Sequence, residues 1–535
     1  MAALRLHDLE QAPEELGARP AEDAVRVNRL RQLLRRAWAQ RTGVLLVAAV
    51  LAVVAVVHAW GMTGAPQRGD DEGTYVSQAW AVQHWQTLAH YTYWYDHPPV
   101  GWILIAGYTA ATRAFARAPN AVAAGREFIF VLQLVSCGLL YVLARRVGLR
   151  RAAAAAAVLL FSLSPLALTF HRAVYLDNIA TPFLLAAFVL VLSPARRLAA
   201  HMGSGLCFGL AVLCKETSLL LLPALAWQFW RTADRRTRRY SAVLAGSLFL
   251  LTGSTYLLYA LLRGELLPGP GHVSLFDGVW WQLFNRRVGG SLFDPTSYNH
   301  DTVVSWLQLD PWLLAAALVL APVALAIRRL RPLTAGFLLL VAIITRPGYL
   351  PIPFVIGLLP FAALIVPAVA DAAWGRPLHS LTLTTRVWSI AGRVAVSASL
   401  IAAVVAVGPQ WRDKDRDLML TNHDAPLAQA ERWIAANLPR NSRMVVDDAI
   451  WVDLVRRGHP PRHVVWFWKL GTDPEVDAYY PNGWRDFDYV VSTGAMRGSS
   501  NVIPELKTML HHSRPLVSFG QYGEEIQILE VRPNG

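Results

Sequence analysis

Residues 43–60 have the sequence GVLLVAAVLAVVAVVHAW, and residues 69–75, which follow after a short interval, have the sequence GDDEGTY. The first stretch is long and apolar enough to form one transmembrane helix. We interpret it as a retained first helix, because it lacks an obvious cleavage site and the residues before it are too long and acidic for a signal peptide. The second stretch places three carboxylates close to the expected membrane edge, where charged side chains are seldom needed for packing.

The composition predicts that most of the chain lies in a membrane. Of the 535 residues, 54% are hydrophobic and only 16% are charged, and the mean hydropathy is +0.33, whereas a soluble domain carries about 25% charged residues. The same figures exclude a disordered, collagen-like or coiled-coil chain. We therefore expect a polytopic α-helical membrane protein.

The net charge of +13 indicates membrane topology rather than a nucleic-acid partner. The basic residues cluster in short runs between apolar segments, among them 145–151, 231–239 and 328–331, which is typical of cytoplasmic loops. The three cysteines all lie in apolar segments, without CxxC or Cys/His metal spacing. We expect neither nucleic-acid binding nor a disulfide framework.

Hydropathy and arginine placement together predict about eleven membrane spans. The apolar candidates lie near residues 43–60, 127–144, 152–170, 178–194, 203–231 (two short spans), 240–262, 311–327, 333–346, 350–370 and 388–408. The short apolar segment 100–116 is placed flat along the outer leaflet, because only then do the arginine runs all fall inside. The N-terminus is then inside the cytoplasmic membrane and the C-terminus outside.

This topology divides the chain into three predicted parts. Residues 1–42 form a cytoplasmic segment, residues 43–410 form the transmembrane domain, and residues 411–535 form an extracytoplasmic domain. The transmembrane domain has a first outer loop at 61–126 and a middle outer loop at 263–310. In the tail, a helix signal at 422–438 precedes β-rich runs at 444–446, 463–467, 489–491 and 526–531, with a helical stretch near 503–512, so we expect a small α/β domain.

Ionisable residues at the outer ends of the predicted spans are the candidates for chemistry. Asp70, Asp71 and Glu72 are followed by a run of aromatic residues: Trp80, Trp85, Tyr91, Tyr93, Trp94, Tyr95 and Trp102. Asp96 and His97 close that loop, and Arg172, Asp177, Lys215 and Glu216 lie at other span ends. Such groups cost roughly 2.5–3.5 kcal/mol each near the bilayer centre, so they tend to be functional or paired. The structural alternatives are an interfacial aromatic belt with a solvated acidic loop, an Arg172–Asp177 ion pair, and a snorkelling break at Lys215.

The order of these motifs resembles a known family. Asp71-Glu72, Asp96-His-Pro-Pro99, Tyr175-Leu-Asp177, Gly209-Leu-Ala…Lys215 and Tyr349-Leu-Pro-Ile-Pro353…Pro360 occur in sequence over about residues 40–370. This pattern is similar to the GT-C fold glycosyltransferases that use lipid-linked sugar donors, and most similar to the protein O-mannosyltransferase and lipid A aminoarabinose transferase group. The resemblance implies a catalytic aspartate in the first outer loop, a polyprenyl-phosphate-sugar donor at the membrane edge, inverting transfer, and a flat-lying helix after the first loop.

The chain departs from the family pattern at three places. The aminoarabinose transferases tend to carry a lysine near the position of Asp96-His97, so phosphate binding there falls to His97. A small residue often follows the family lysine, whereas here Glu216 follows Lys215 and can neutralise it. The Arg-Tyr pair common in the penultimate region is spaced here as Arg346-Pro-Gly-Tyr349. The tail from residue 411 matches no family pattern.

A charge argument gives each candidate a role. A polyprenyl phosphate is an anionic leaving group that needs cations and no proton donor, so one carboxylate base is enough. We assign the base to Asp71, with Glu72 or Asp177 positioning the acceptor or holding Asp71. Phosphate charge would be stabilised by His97, Arg172, Lys215 and Arg286 (or Arg287), and substrate would be contacted by Tyr75, Asp96 and Tyr349.

Three questions stay open at this stage. A divalent metal held by Asp71, Glu72 and Asp177 is compatible with their oxygen chemistry, although the spacing alone defines no cage. The sugar is undetermined, and the acceptor is a protein, a lipid or a polysaccharide. The competing functions are a flippase for lipid-linked saccharides, which would favour broken helices at the midplane, and a non-catalytic protein that binds cell-wall polymer.

Overall fold

The structure, a computed structural model, describes residues 42–86, 88, 95–194, 197–286, 288–375, 383–521 and 525–533. The predicted cytoplasmic segment 1–42 therefore lies outside the described residues except for Thr42, as do Tyr91, Tyr93, Trp94 and Arg287. The chain divides into two compact units, Met1–Val50 and Leu51–Gly535. Everything below concerns the second unit, apart from the start of the first helix.

Helices dominate the described residues from Thr42 to Leu420. In the first loop and the following bundle they are α1 (Thr42–Ala59), α2 (Asp70–Trp85), α3 (Val100–Thr112), α4 (Ala114–Arg117), α5 (Ala121–Arg146), α6 (Arg151–Leu163), α7 (Pro165–Phe170), α8 (Leu176–Val191), α9 (Arg197–Cys214), α10 (Leu222–Thr232) and α11 (Arg238–Leu262). They continue with α12 (Leu275–Trp280), α13 (Tyr298–Leu309), α14 (Trp312–Ala326), α15 (Arg331–Ile344), α16 (Val355–Trp374) and α17 (Leu383–Leu420).

Each predicted span coincides with a helix or a broken pair of helices. Within the described residues, six helices are long and apolar enough to cross a membrane, or seven if the bent pair α13–α14 counts as one, and four shorter apolar helices accompany them. The predicted count of eleven is therefore not established by helix length. The predicted break in 203–231 is present, because Lys215 separates α9 from a 3₁₀ helix, Glu216–Leu221, and α10.

The arginine runs meet at one end of the helix bundle. Arg329 Nη1 donates to the carbonyl of Gly148, 2.7 Å away, and Arg150 Nε lies 2.5 Å from an Asp371 carboxylate oxygen. Arg231 donates to the carbonyl of Arg328. Loops far apart in sequence thus share one basic end, as the predicted topology requires.

The tail folds as an α/β domain around a five-stranded sheet. Its strands are β1 (Met444–Val446), β2 (Val464–Trp466), β3 (Tyr489–Ser492), β4 (Ser513–Phe519) and β5 (Ile526–Val531), in the order β2-β1-β3-β5-β4. β1 pairs in parallel with β2 and β3, whereas β5 is antiparallel to β3 and β4. The helices are α18 (Ala425–Asn437), α19 (Asp448–Arg456), α20 (Pro474–Tyr479), α21 (Gly494–Ser499) and α22 (Pro504–His511).

One long helix crosses the predicted start of the tail domain. Helix α17 continues past residue 411 to Leu420 before the tail turns into α18. The four predicted β runs and the helix near 503–512 are present, while β4 and α19 are additional elements. The predicted boundaries at 42/43 and 410/411 stay predictions.

Candidate active site

Helix α2 presents the acidic motif at its first turn. Gly69 is the N-cap, and its backbone N–H donates to Glu72 Oε2 at 3.3 Å, which is the half of a capping box that a glycine can form. Three acidic residues in this turn are also favoured by the positive end of the helix dipole. The local sequence therefore fixes Asp71 at the start of a helix rather than in a mobile loop.

Glu72 is turned away from Asp71 and into the protein. Arg126 on α5 donates to both of its carboxylate oxygens, at 2.9 and 2.6 Å, and the N–H of Val174 donates to one of them at 2.8 Å. Both charged side chains are almost fully buried. This carboxylate holds α2 against α5, so the geometry gives no support to the predicted catalytic role of Glu72.

Asp71 is partly buried and lies among charges of both signs. Burial and, after it, the charge of the neighbouring Asp70 raise the pKa of this carboxyl to about 7, against the opposite effect of Lys215, His97 and Arg286. A carboxylate with a pKa near the working pH is suited to accept a proton in a reaction. The proximity of these three groups also places a cationic surface beside it.

Lys215, His97 and Glu216 form a relay next to Asp71. Lys215 Nζ lies 3.0 Å from His97 Nε2, and His97 Nδ1 lies 3.1 Å from the Glu216 carboxylate oxygens. In this arrangement Nδ1–H donates to Glu216 and Nε2 accepts from the lysine. Glu216 is 3.8 Å from Lys215 Nζ, so the ammonium group keeps N–H donors for a further anion.

Arg286 reaches the same region from the middle loop. Its guanidinium group lies 3.7 Å from the ring centre of Tyr349, a cation–π contact, and donates to Gln282 Oε1 at 2.5 Å. Gln282 in turn donates to the carbonyl of Asp96 at 3.3 Å. Arg286 thus contacts Tyr349 directly and is linked to Asp96 through Gln282.

Tyr75 and Asp177 complete the cluster. Tyr75 lies one helical turn from Asp71, and its ring centre is 6.1 Å from that of His97. Burial raises the pKa of Tyr75 well above its usual range, as do the carboxylates of Asp71, Asp96, Asp177 and Glu216, which all face it. Asp177 Oδ2 has no hydrogen-bond partner among the described residues and borders a cavity of about 30 Å³.

Arg172 does not join this group. Its guanidinium group donates to four main-chain carbonyls, those of Val57, Trp60, Ala65 and Leu418, at distances of 2.6 to 3.4 Å. It therefore braces the end of α1 against α17. The structural alternative of an Arg172–Asp177 pair is likewise not formed, because neither residue is a partner of the other.

The site also contains residues that sequence reasoning missed. Arg126, the partner of Glu72, stands at the edge of an apolar run, where its only signal is a charge beside a span. Gln282 carries no charge, and no feature of the sequence marked it as a site residue. Asp447 and Asp448 directly follow β1, and Asp448 contacts Thr74 of α2.

The three carboxylates proposed as metal ligands do not form a ligand set. Over the described parts of the chain, no group of three or more His, Cys, Asp or Glu side chains is placed to hold a metal ion. Glu72 is committed to Arg126, which leaves Asp71 and Asp177 without the third oxygen donor.

Comparison with known proteins identifies the fold. Residues 96–259 match the model of the family described as dolichyl-phosphate-mannose-protein mannosyltransferase. ArnT from Cupriavidus metallidurans in the apo state is 16% identical over 92% of this chain and 98% of its own, with a TM-score of 0.55. The Archaeoglobus fulgidus oligosaccharyltransferase in the apo form is 13% identical over 86% of this chain and 72% of its own, also with a TM-score of 0.55. No curated protein sequence matches the chain.

These findings confirm the resemblance predicted from the motifs. The chain has the GT-C fold with a small C-terminal sheet domain, and the family model and the solved structures that it matches are those of GT-C glycosyltransferases. ArnT has also been solved bound to undecaprenyl phosphate, with 16% identity and a TM-score of 0.53 to this chain.

Proposed function

We propose that this protein transfers a sugar from a polyprenyl-phosphate donor to an acceptor hydroxyl, with inversion at the anomeric carbon, at the outer face of the cytoplasmic membrane. The observation that carries the proposal is the carboxylate of Asp71, which lies at the first turn of α2 beside the cations Lys215 and Arg286. A proton acceptor next to a phosphate-binding surface is the pair of functions that this transfer needs.

In the proposed step, the acceptor oxygen attacks the anomeric carbon and forms the new glycosidic bond. Its proton passes to the Asp71 carboxylate. The bond between the anomeric carbon and the phosphate oxygen breaks, and the polyprenyl phosphate leaves with the electron pair. Because the leaving group is stable as an anion, the enzyme needs cations to receive it and no general acid.

The phosphate cations of the site are Lys215 and Arg286. The relay through His97 to Glu216 orients the Lys215 ammonium group, and the ring of Tyr349 orients Arg286. Both cations act where burial weakens screening by water, which strengthens each contact with phosphate. Asp177, with an unsatisfied oxygen facing a small cavity, is the candidate for an acceptor or sugar hydroxyl.

The surface beside Arg286 suits a lipid-linked donor. The segment that ends at this arginine exposes large apolar side chains, with 45–69% of their area accessible: Phe276, Val279, Trp280, Trp281, Leu283 and Phe284. Aromatic and aliphatic side chains of this kind favour the membrane interface. A polyprenyl chain would lie in the bilayer beside this segment while its phosphate reaches Arg286.

The orientation of the protein rests on its basic end. The loops that carry the arginine runs meet at one end of the bundle, and such loops are retained on the cytoplasmic side. Lys215 lies at the opposite end of α9 from Arg197. This supports a cytoplasmic N-terminus, with the site and the C-terminal domain outside the cell membrane.

A panel of polyprenyl-phosphate sugars tests the proposal. Purified wild type, Asp71→Asn and a charge-matched control, Asp413→Asn on the exposed part of α17, are incubated with each donor and a cell-envelope extract as acceptor source. Released polyprenyl phosphate and transferred sugar are measured. We expect Asp71→Asn to lose about 10²- to 10⁴-fold in rate while the control stays at the wild-type level.

Donor binding is measured separately by thermal stabilisation. We expect the donor to stabilise wild type and Asp71→Asn alike, whereas Lys215→Met loses the stabilisation and the surface control Lys507→Met keeps it. Full turnover by Asp71→Asn would refute the base. If no donor of the panel stabilises the protein or is turned over by it, the protein is instead non-catalytic or carries another substrate.

A further inference from the structure

The sheet of the C-terminal domain has an arrangement that usually binds a ligand. β1 lies between β2 and β3, both parallel to it, so the chain winds in opposite directions from the two sides of β1. In open α/β sheets the crevice at the carboxyl ends of such strands is the usual binding site. Here Asp447 and Asp448 follow β1, and Thr493 follows β3.

In this protein helix α2 covers that position. A Cβ atom on Gly73 would lie 2.1 Å from the carbonyl carbon of Asp448, so only glycine allows the approach. Thr74 Oγ1 is hydrogen-bonded to Asp448 Oδ2. Trp468, which follows β2, donates its indole N–H to Asp70 Oδ2 at 3.3 Å.

The two aspartates at this contact are almost fully buried, with 4% and 2% of their areas exposed. Asp447 accepts a hydrogen bond from Thr493 Oγ1 at 2.9 Å, which ties the end of β1 to the end of β3. Buried carboxylates are costly unless they are paired. Asp448 accepts a hydrogen bond from Thr74 with one oxygen, and its other oxygen has no hydrogen-bond partner among the described residues.

A second group of contacts holds Arg68, which lies two residues before α2. Arg68 Nε lies 2.8 Å from Asp424 Oδ1, and its Nη1 lies 3.2 Å from Asp453 Oδ2 on α19. Asp453 also accepts from the N–H of Ala121, at the start of α5. The C-terminal domain therefore contacts the start of α2, which carries Asp71, and the start of α5, which carries the arginine that binds Glu72.

We infer that the C-terminal domain is the holder of α2, and that Thr74 and Asp448 are positioning residues that set the place of Asp71. This inference rests on the proposed function, in which Asp71 is the base. Thr74 lies one helical turn from Asp71, so a rotation or slide of α2 moves both together. A displacement of about 1 Å at a reacting group costs about 10²-fold in rate.

The test uses the full-length protein and the donor found with the panel above. Thr74→Val removes the hydroxyl at nearly constant volume, and Thr74→Ser retains it. Thr508→Val, which removes an exposed hydroxyl from α22 of the same domain, is the matched control. For Thr74→Val we expect kcat to fall at least about tenfold with KM for the donor within about twofold, because the phosphate cations are untouched. Thr74→Ser and Thr508→Val should stay within about threefold of wild type.

Two further measurements separate positioning from loss of folding. Hydrogen exchange of the α2 amides should accelerate in Thr74→Val and in Asp448→Ala, which removes both carboxylate oxygens, while exchange in β1 and β3 stays unchanged. The double variant should lose no more kcat than the worse single variant, because both substitutions break one contact. Additive losses, or a Thr74→Val protein with wild-type kcat and wild-type α2 exchange, would overturn the inference.

The proposed function fails under a different result. If Asp71→Asn turns over like wild type, Asp71 is not the base, whatever Thr74 does. If Asp71→Asn is inactive and Thr74→Val behaves as wild type, the base stands and the positioning role is refuted.

Discussion

Replacing Asp70 by asparagine should make the enzyme more active at low pH. Burial and the charge of Asp70 raise the pKa of Asp71 from 3.8 to about 7, against the pull of three basic groups. The raised pKa means that the protonated, inactive form of the base persists up to neutral pH. Activity should therefore rise with pH through about 7, with about a tenth of the base ionised at pH 6 and about nine tenths at pH 8.

Asparagine removes the like charge and keeps one of the two acceptor oxygens, which now bind the N–H of Asp71 and the indole N–H of Trp468 separately. Removing a neighbouring like charge lowers the pKa of a carboxyl by about one unit, so the midpoint of the acid limb should fall to about 6. At pH 6 the variant should then retain about half of its plateau rate, against about a tenth for wild type, a roughly fivefold difference.

The assay is the initial rate of polyprenyl-phosphate release between pH 5 and 9. The donor is a phosphodiester that does not titrate in this range, so the limb reports the protein. Asp413→Asn, which removes one exposed carboxylate from α17, controls for net charge. A limb that stays in place in Asp70→Asn, or moves to higher pH, would refute the assignment of the titration to Asp71.

Three further predictions concern structure and stability. Glu72→Gln leaves its arginine partner buried without a counter-charge and should lower the free energy of unfolding by about 3–5 kcal/mol. Chemical unfolding in detergent measures this change, and a decrease well below that range would contradict the structural role of Glu72. Gly205→Ala should lower the melting temperature, because its Cβ would lie 2.1 Å from the carbonyl oxygen of Ala245, whereas Gly246→Ala, with nothing within 4 Å, should not; equal melting temperatures would contradict this close packing of α9 on α11. Burial and the charge of Asp70 raise the pKa of Asp447 to about 6. Its contribution to stability is therefore present below about pH 4 and is lost as the pH rises through 6, so the melting temperature of wild type should fall over this range. Asp447→Asn should make that fall less steep, and an unchanged slope would contradict the assignment.

The membrane part of the fold was predictable because it depends on local sequence. Runs of apolar residues and the position of arginines need no knowledge of tertiary contacts, and they located the helices of the predicted spans and the break at Lys215. Helix α3, Val100–Thr112, was separable from the spans only through the arginine argument. Strand β4 was missed because Pro515 interrupts it, and the sheet accommodates that proline only because β4 is an edge strand.

The roles within the site were only partly predictable. Asp71 and Lys215 were chosen as candidates because ionisable residues at span ends are costly and therefore informative. The sequence separated Asp71 from Glu72 as the base, but it could not predict that Glu72 is held by Arg126, because that partner lies 54 residues away. The contact between Thr74 and Asp448 joins residues 374 positions apart, and no local pattern reports such a contact.

The same cations that bind phosphate also set the strength of the base, and this coupling has a measurable consequence. In the free enzyme Lys215, His97 and Arg286 lower the pKa of Asp71. A bound donor phosphate cancels part of their charge, so the pKa of Asp71 should be higher in the donor complex than in the free enzyme. The acid limb of kcat reports the complex and that of kcat/KM for the donor reports the free enzyme, so the limb of kcat should lie at higher pH, by about half a unit or more. In Lys215→Met the gap should narrow, because less positive charge remains to be cancelled. Coincident limbs in wild type, or a limb of kcat at lower pH, would show that the phosphate does not sit on these cations.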